Sequence, residues 1–160
     1  MEDAVKELRP QLCYQCMKCS SGCTAAKVVN NYRPHEIVAL VKAGYSDELI
    51  NSDVIWACSV CLKCVEYCPQ RVSPFEVVMA LRNESIARGR VPPKSFVEMA
   101  KSVLKVGHIQ EPMYIMSKDF EEVSRTELGL PEMPKPKDFE KFKQHVLLVG
   151  FEKLKEVIRV

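Results

Sequence analysis

Cys13-Tyr14-Gln15-Cys16-Met17-Lys18-Cys19-Ser20-Ser21-Gly22-Cys23 and Cys58-Ser59-Val60-Cys61-Leu62-Lys63-Cys64-Val65-Glu66-Tyr67-Cys68-Pro69 contain all eight cysteines of the 160-residue chain. Both stretches have the form C-x2-C-x2-C-x3-C, the run that in bacterial proteins holds 4Fe-4S clusters. The physical reason is reach. Three thiolates spaced by two residues wrap a compact loop around three corners of a cubane, and the fourth corner must come from elsewhere. In two-cluster proteins the fourth cysteine of each run serves the other cluster. Each fourth cysteine is expected at the start of the following helix, where its thiolate can face the neighbouring cluster. The spacing therefore assigns Cys13, Cys16, Cys19 and Cys68 to a first cluster, and Cys58, Cys61, Cys64 and Cys23 to a second. Such an exchange cross-links the two loops, so metal binding and folding should be coupled.

Zinc is the rival metal, since four-cysteine sites are common and tetrahedral. Structural zinc uses paired C-x2-C knuckles, however, and a third cysteine at x2 followed by a fourth at x3 exceeds that need. A disulfide framework is weaker still, because this many thiols in an intracellular chain argue for metal. Pro69 follows Cys68 as the run requires, whereas Thr24 stands where the first run would have proline. That departure leaves the ligands intact and bears on the exposure of the cluster that Cys23 serves. Lys18 and Lys63 lie inside the loops, where positive charge would raise a cluster's potential; solvated loop lysines are the plainer reading. Trp56 precedes the second run and suits packing that keeps water from a cluster. His35, His108 and His145 are left out of the site, because eight cysteines already suffice for two cubanes.

With 47% hydrophobic and 28% charged residues the composition is that of a globular protein. Net charge is +2 with acidic and basic residues interspersed, which offers nucleic acid no basic stripe. No stretch approaches the roughly 20 apolar residues of a membrane span. Met1 to Pro10 carries Glu2, Asp3 and Glu7 rather than a secretory signal, which points to the cytoplasm.

Beyond the cysteines the chain reads as helical. Pro34 to Gly44 has proline early, glycine late and Ile37, Val38, Leu40 and Val41 between. Ser73-Pro74-Phe75-Glu76 has the pattern of a capping box leading into Val77, Val78, Leu81 and Ile86. Val91-Pro92-Pro93 breaks the helix and divides the chain into residues 1–90, which carry the clusters, and residues 91–160, a helical extension. Within the extension, helices are predicted over Lys94 to Val106, over Ser117 to Leu128, and from Asp138 onward with Phe139, Phe142, Val146, Val149, Leu154 and Val157 as its apolar stripe. That last stripe suits packing onto its own domain or docking onto a partner.

The first cysteine block, the Trp56-Ala57-Cys58 entry to the second, and Ala80-Leu81-Arg82-Asn83 after it resemble the C-type subunit of heterodisulfide reductase, its two-cluster iron-sulfur member. The likeness continues through Lys105-Val106-Gly107-His108 and Leu128-Gly129-Leu130-Pro131, so it spans nearly the whole chain. The cysteine blocks alone are shared with iron-sulfur subunits of succinate dehydrogenase, glycolate oxidase and glycerol-3-phosphate dehydrogenase. The resemblance implies an all-α fold, an α-helical ferredoxin with two 4Fe-4S clusters, and a second short helix near Asp47. It also implies a non-catalytic electron-transfer role in an oxidoreductase complex that serves methanogenesis. The implied partners are the A-type subunit, with flavin and iron-sulfur clusters, and the catalytic B-type subunit, which reduces the heterodisulfide of coenzyme M and coenzyme B. The iron-sulfur subunit of a 2-hydroxy acid or glycerol-3-phosphate dehydrogenase complex is the first alternative, and a metal-stabilised structural adaptor is the second.

Overall fold

A computed structural model describes residues 7–111 and 113–151. The chain divides into two compact units, Met1–Pro92 and Pro93–Val160. It is mostly helical, and among the described residues no helix is long and apolar enough to cross a membrane.

In the first unit the helices are α1 (Lys18–Ser21), α2 (Pro34–Lys42), α3 (Ser46–Ile50), α4 (Lys63–Glu66) and α5 (Pro74–Ala87). Proline opens both α2 and α5 at a position where its missing N–H costs nothing. Helix α5 is the spine. Val77, Val78, Leu81, Arg82 and Ser85 recur along it at three- and four-residue steps and are all buried, and α2, α3 and α4 pack against it. Opposite them α2 contributes Ile37, Val38 and Val41, and α3 contributes Leu49 and Ile50. Val38, Ile50, Ile55, Val77 and Leu81 have no accessible surface, and each such side chain favours the folded state by about 1.5–3 kcal/mol.

Polar bonds tie α3 and the turn after it to the end of α5. Ser85 Oγ donates to the Ile50 carbonyl at 2.9 Å, and Arg90 Nη1 donates to the carbonyls of Ile50 and Ser52 at 2.9 and 2.7 Å. Arg88 reaches Asp47 at 2.7 Å and Glu84 at 2.9 Å. The Ile50 carbonyl, left open at the C-terminal end of α3, is thereby satisfied.

One local expectation fails at α5. Ser73 has a left-handed backbone, φ 51°, and its side chain makes no capping bond, so the capping box does not form. An N-cap residue needs an extended backbone, and here the chain is still turning out of the cysteine loop.

In the second unit α6 spans Lys94–Val106, buries Val97, Ala100 and Leu104, and ends on left-handed Gly107 at φ 82°, as its sequence predicts. The helix predicted over Ser117 to Leu128 is absent. Strands β1 (Ile115–Met116) and β2 (Glu122–Val123) instead pair antiparallel, with Ile115 opposite Val123. Serine chemistry accounts for the difference. Ser117 Oγ accepts from the N–H groups of Asp119 and Glu121, Ser124 Oγ accepts from the Glu127 N–H, and the Ser124 N–H donates to the Glu127 carboxylate, which gives the backbone local partners that compete with a helix. The all-α expectation thus needs one small ribbon added. Asp138 Oδ1 accepts from the Lys141 N–H at 2.9 Å and opens α7 (Phe139–Val146), where Phe139 and Phe142 stack at 5.9 Å. A π-helical turn follows over Leu147–Phe151; Leu154 and Val157 of the predicted stripe lie outside the described residues.

Candidate metal centre

The two cysteine loops repeat one another in backbone as well as in sequence. Cys13 follows a 3-10 turn over Pro10–Leu12, and Cys58 follows one over Val54–Ala57; both are extended, at φ −70° and −61°. Two left-handed residues then flank each middle cysteine: Gln15 (φ 60°) and Met17 (61°) around Cys16, Val60 (56°) and Leu62 (61°) around Cys61. Met17 and Leu62 cap the four-residue helices α1 and α4, which carry the third cysteines Cys19 and Cys64. None of the four is glycine. A left-handed backbone is uncommon for such residues and an outlier for β-branched Val60. Alternating right- and left-handed residues turn successive N–H groups toward one concave side, the arrangement that receives anions and iron-sulfur groups.

The fourth cysteines lie elsewhere than their spacing predicts. Cys23 and Cys68 follow α1 and α4 closely rather than opening the next long helix; Cys68 is separated from α5 by an irregular turn with left-handed Arg71 and Ser73. Short helices α1 and α4 pack on each other, which brings the two tails together. At the crossing Gly22 faces Tyr67, and a Cβ on Gly22 would run into the Tyr67 ring. Gly22→Ala is expected to destabilise the metal-loaded protein by about 1–3 kcal/mol, as overpacking does, read as a lower thermal midpoint.

All eight cysteines are free thiols, with Cys16 and Cys61 exposed, Cys19 and Cys23 buried, and the rest between. Cys13, Cys16, Cys19 and Cys68 line one cavity, part of it open to solvent, together with Gln15 and His35. Within it Gln15 Nε2 donates to Cys13 Sγ at 3.1 Å and the Val72 N–H to Cys68 Sγ at 3.3 Å. His35, set aside on sequence grounds, belongs to the wall: its Nδ1 lies 2.6 Å from Ser20 Oγ, and its carbonyl accepts from Gln15 Nε2 at 3.2 Å. His108 falls in the second unit, on the turn after α6, and His145 within α7.

Around the second loop the partners are Tyr32, Thr24 and Arg82, none of them singled out as site residues by spacing. Tyr32 is 2% exposed; burial first, then its hydrogen bond to the Cys58 thiol, pushes its hydroxyl well above the usual phenol range, with Cys23 and Cys64 adding to the effect. Thr24 Oγ1 lies 3.5 Å from Cys61 Sγ and 3.1 Å from Ser59 Oγ. The residue that departs from the proline of the run thus supplies a hydroxyl to the opposite loop. The backbone N–H of Lys63, and then Thr24, hold the Cys61 thiol down to about 7. Burial pushes Cys64 up to about 11 and raises Cys19 as well. Arg82, 5% exposed, donates from Nε to the Ile55 carbonyl at 2.9 Å and from Nη2 to the Cys58 carbonyl at 2.8 Å, with its guanidinium 5.3 Å over the Trp56 ring. Its signal in sequence was an arginine on the buried stripe of α5. Lys18 and Lys63 are exposed, in keeping with solvated loop lysines.

Soft thiolate donors from two loops, with backbone N–H groups of Val72 and Lys63 on Cys68 and Cys61, and a shared cavity lined by three cysteines of one loop and the last of the other, fit an iron-sulfur cubane. A single tetrahedral zinc would draw its four sulfurs to within about 3.8 Å of one another, given Zn–S bonds of about 2.3 Å. Among the described residues no three His, Cys, Asp or Glu side chains converge to hold one metal ion.

Comparison with known proteins agrees with this chemistry. A 4Fe-4S dicluster domain matches residues 10–72. A protein of Archaeoglobus profundus described as like the C subunit of heterodisulfide reductase is 34% identical over 138 residues, 82% of this chain and 68% of the relative. The iron-sulfur C subunit of the CoB-CoM heterodisulfide reductase of Methanopyrus kandleri is 34% identical over 127 residues, 79% and 62% of the two chains. The C subunit of the H2:CoB-CoM heterodisulfide,ferredoxin reductase of Methanothermobacter marburgensis is 28% identical over 149 residues, 90% and 77%. With that extent of likeness, the chain belongs to the family of heterodisulfide reductase C subunits.

Proposed function

We propose that this chain carries two 4Fe-4S clusters and passes single electrons between its partners in a heterodisulfide reductase complex. Cys13, Cys16, Cys19 and Cys68 hold the first cluster, and Cys58, Cys61, Cys64 and Cys23 the second. The observation that carries the reading is that Cys68 lines the same cavity as the three cysteines of the other loop. When bound, each cluster supplies a one-electron couple whose potential follows charge, hydrogen bonds to sulfur and solvent exposure. The protein's part is to hold and insulate. Tyr32, Trp56, Val72 and the α5 stripe exclude water from the inner sides, whereas the middle cysteines, Cys16 and Cys61, face outward beside exposed Met17 and Leu62. Each loop therefore has one outer edge through which a partner can be approached.

Residues 1–90 form, in this reading, an α-helical ferredoxin domain, and residues 91–160 an extension that packs or docks. The Methanopyrus and Methanothermobacter relatives are named for the CoB-CoM heterodisulfide. Carried to this chain, it makes the A-type protein, with its flavin and clusters, one partner and the disulfide-reducing B-type protein the other. The chain itself conducts rather than catalyses.

Anaerobically purified protein should contain about eight irons and eight sulfides per chain, as two 4Fe-4S sites require, and should show on reduction the paramagnetic signals of two cubanes. Zinc, or iron for a single cluster, would overturn the reading. Native isolation should bring down a disulfide-reducing protein; finding a 2-hydroxy acid or glycerol-3-phosphate dehydrogenase in its place would move the chain to a different complex.

A further inference from the structure

The two clusters proposed above sit on loops of matching backbone, yet the cations behind those loops differ. Behind the first, Lys42 Nζ donates to the Cys13 carbonyl at 3.4 Å from an exposed position on α2. Behind the second, Arg82 Nη2 donates to the Cys58 carbonyl at 2.8 Å from a buried position on α5. Each cation thus addresses the carbonyl of the first cysteine in its run. They differ in surroundings. An exposed ammonium is screened by water and salt, whereas a charge in the protein interior acts through a much lower effective dielectric.

Arg82 is also fixed. The Ile55 carbonyl accepts from Nε at 2.9 Å, the Trp56 ring lies against the guanidinium face, and a guanidinium stays protonated in proteins. Burying a positive charge is costly unless something negative accompanies it. Thiolates around a metal cluster would supply such a charge beside the Cys58 carbonyl that Arg82 already holds.

We propose that Arg82 is a positioning residue which raises the reduction potential of the cluster held by Cys58, Cys61, Cys64 and Cys23 above that of its neighbour, making this the electron-receiving end of the chain. Reduction adds one electron, hence one negative charge, beside a cation that cannot move or lose its proton. That electron comes from the neighbouring reduced cluster, which is oxidised by one, and no bond or proton is exchanged. The inference rests on the two-cluster reading.

Potentiometric titration of the full chain, followed by low-temperature paramagnetic resonance, tests it, with Cys68→Ser protein used to assign the second cluster's signal. In the unaltered protein the second cluster should be reduced at the higher potential. Arg82→Met should lower that potential by at least tenfold in the electron equilibrium, about 59 mV for a one-electron couple, and leave the first cluster nearly unmoved. Arg82→Lys should keep most of the wild-type value, and Lys42→Met should shift the first cluster much less than tenfold. Arg82→Gln, which retains N–H donors without charge, should behave as the methionine variant does. Equal shifts at both clusters, no shift, or failure of both neutral variants to hold the second cluster would overturn the proposal and leave Arg82 a structural residue. Iron and sulfide for only one cluster in the unaltered protein would instead overturn the underlying reading.

Discussion

We expect Cys68→Ser to strip the cluster held by Cys13, Cys16 and Cys19 while leaving the one held by Cys58, Cys61, Cys64 and Cys23 in place. Iron should fall from about eight to about four per chain, as loss of one 4Fe-4S site requires. The reason lies in the crossing of the tails. Cys68 belongs by sequence to the second run, but its thiol shares a cavity with the cysteines of the first and is fixed there by the Val72 N–H at 3.3 Å. Serine keeps the size and substitutes a hard oxygen that is a poor match for iron in a sulfide cubane. Cys23→Ser should produce the mirror image, with the signal of the second cluster lost. Iron and sulfide analysis together with resonance spectra of the two variants decides the matter; loss of the sequence-local cluster in each would reverse the ligand assignment.

Removing the iron should cost the first unit a large part of its stability. Gln15, Met17, Val60 and Leu62 all hold left-handed backbones. Strained residues of this kind cost about 1–3 kcal/mol each and persist only where their surroundings over-determine them. Four of them amount to roughly 4–12 kcal/mol, comparable with the 5–15 kcal/mol net stability of an ordinary domain. The α1–α4 contact alone is small, since each helix is four residues long, so the metal is the group able to offset that strain. Without it, backbone amides across Cys13–Cys23 and Cys58–Ser73 should lose hydrogen-exchange protection. The thermal midpoint of the unit should fall by about 15 °C or more, at roughly 4–8 °C per kcal/mol for a domain of this size. Helices α2 and α5, whose side chains meet directly in the apolar core, should be the last to lose protection. Unchanged exchange in the loops after anaerobic chelation would show that they are shaped by the polypeptide alone.

The features legible in the sequence are those encoded by short-range signals. Cysteine spacing marked the two loops, and Pro34, Pro74 and Gly107 marked helix ends because each residue type constrains its own backbone. What escaped is tertiary. Nothing local in Gln15, Met17, Val60 or Leu62 favours positive φ, so their conformation reflects the closing of the loops and not propensity. Ser73 carries a capping sequence that its position in the turn overrides. Arg82 gains its role only where α5 is set against Trp56 and the Cys58 carbonyl, although its place on a three- and four-residue apolar stripe is visible in the sequence. The segment from Ser117 to Leu128 reads as helix because apolar periodicity does not weigh the backbone N–H groups that Ser117 and Ser124 accept through their side-chain oxygens.

The meeting of Gly22 and Tyr67 sets a limit on internal symmetry. Each occupies the place just before the last cysteine of its run, so a chain made of one motif copied perfectly would set like against like there. A side chain on Gly22 would meet the Tyr67 ring, so in this placement the two halves cannot both carry one. A fold built from a doubled motif is thus obliged to become lopsided at this point, with one half giving up its side chain so that the other can fill the seam.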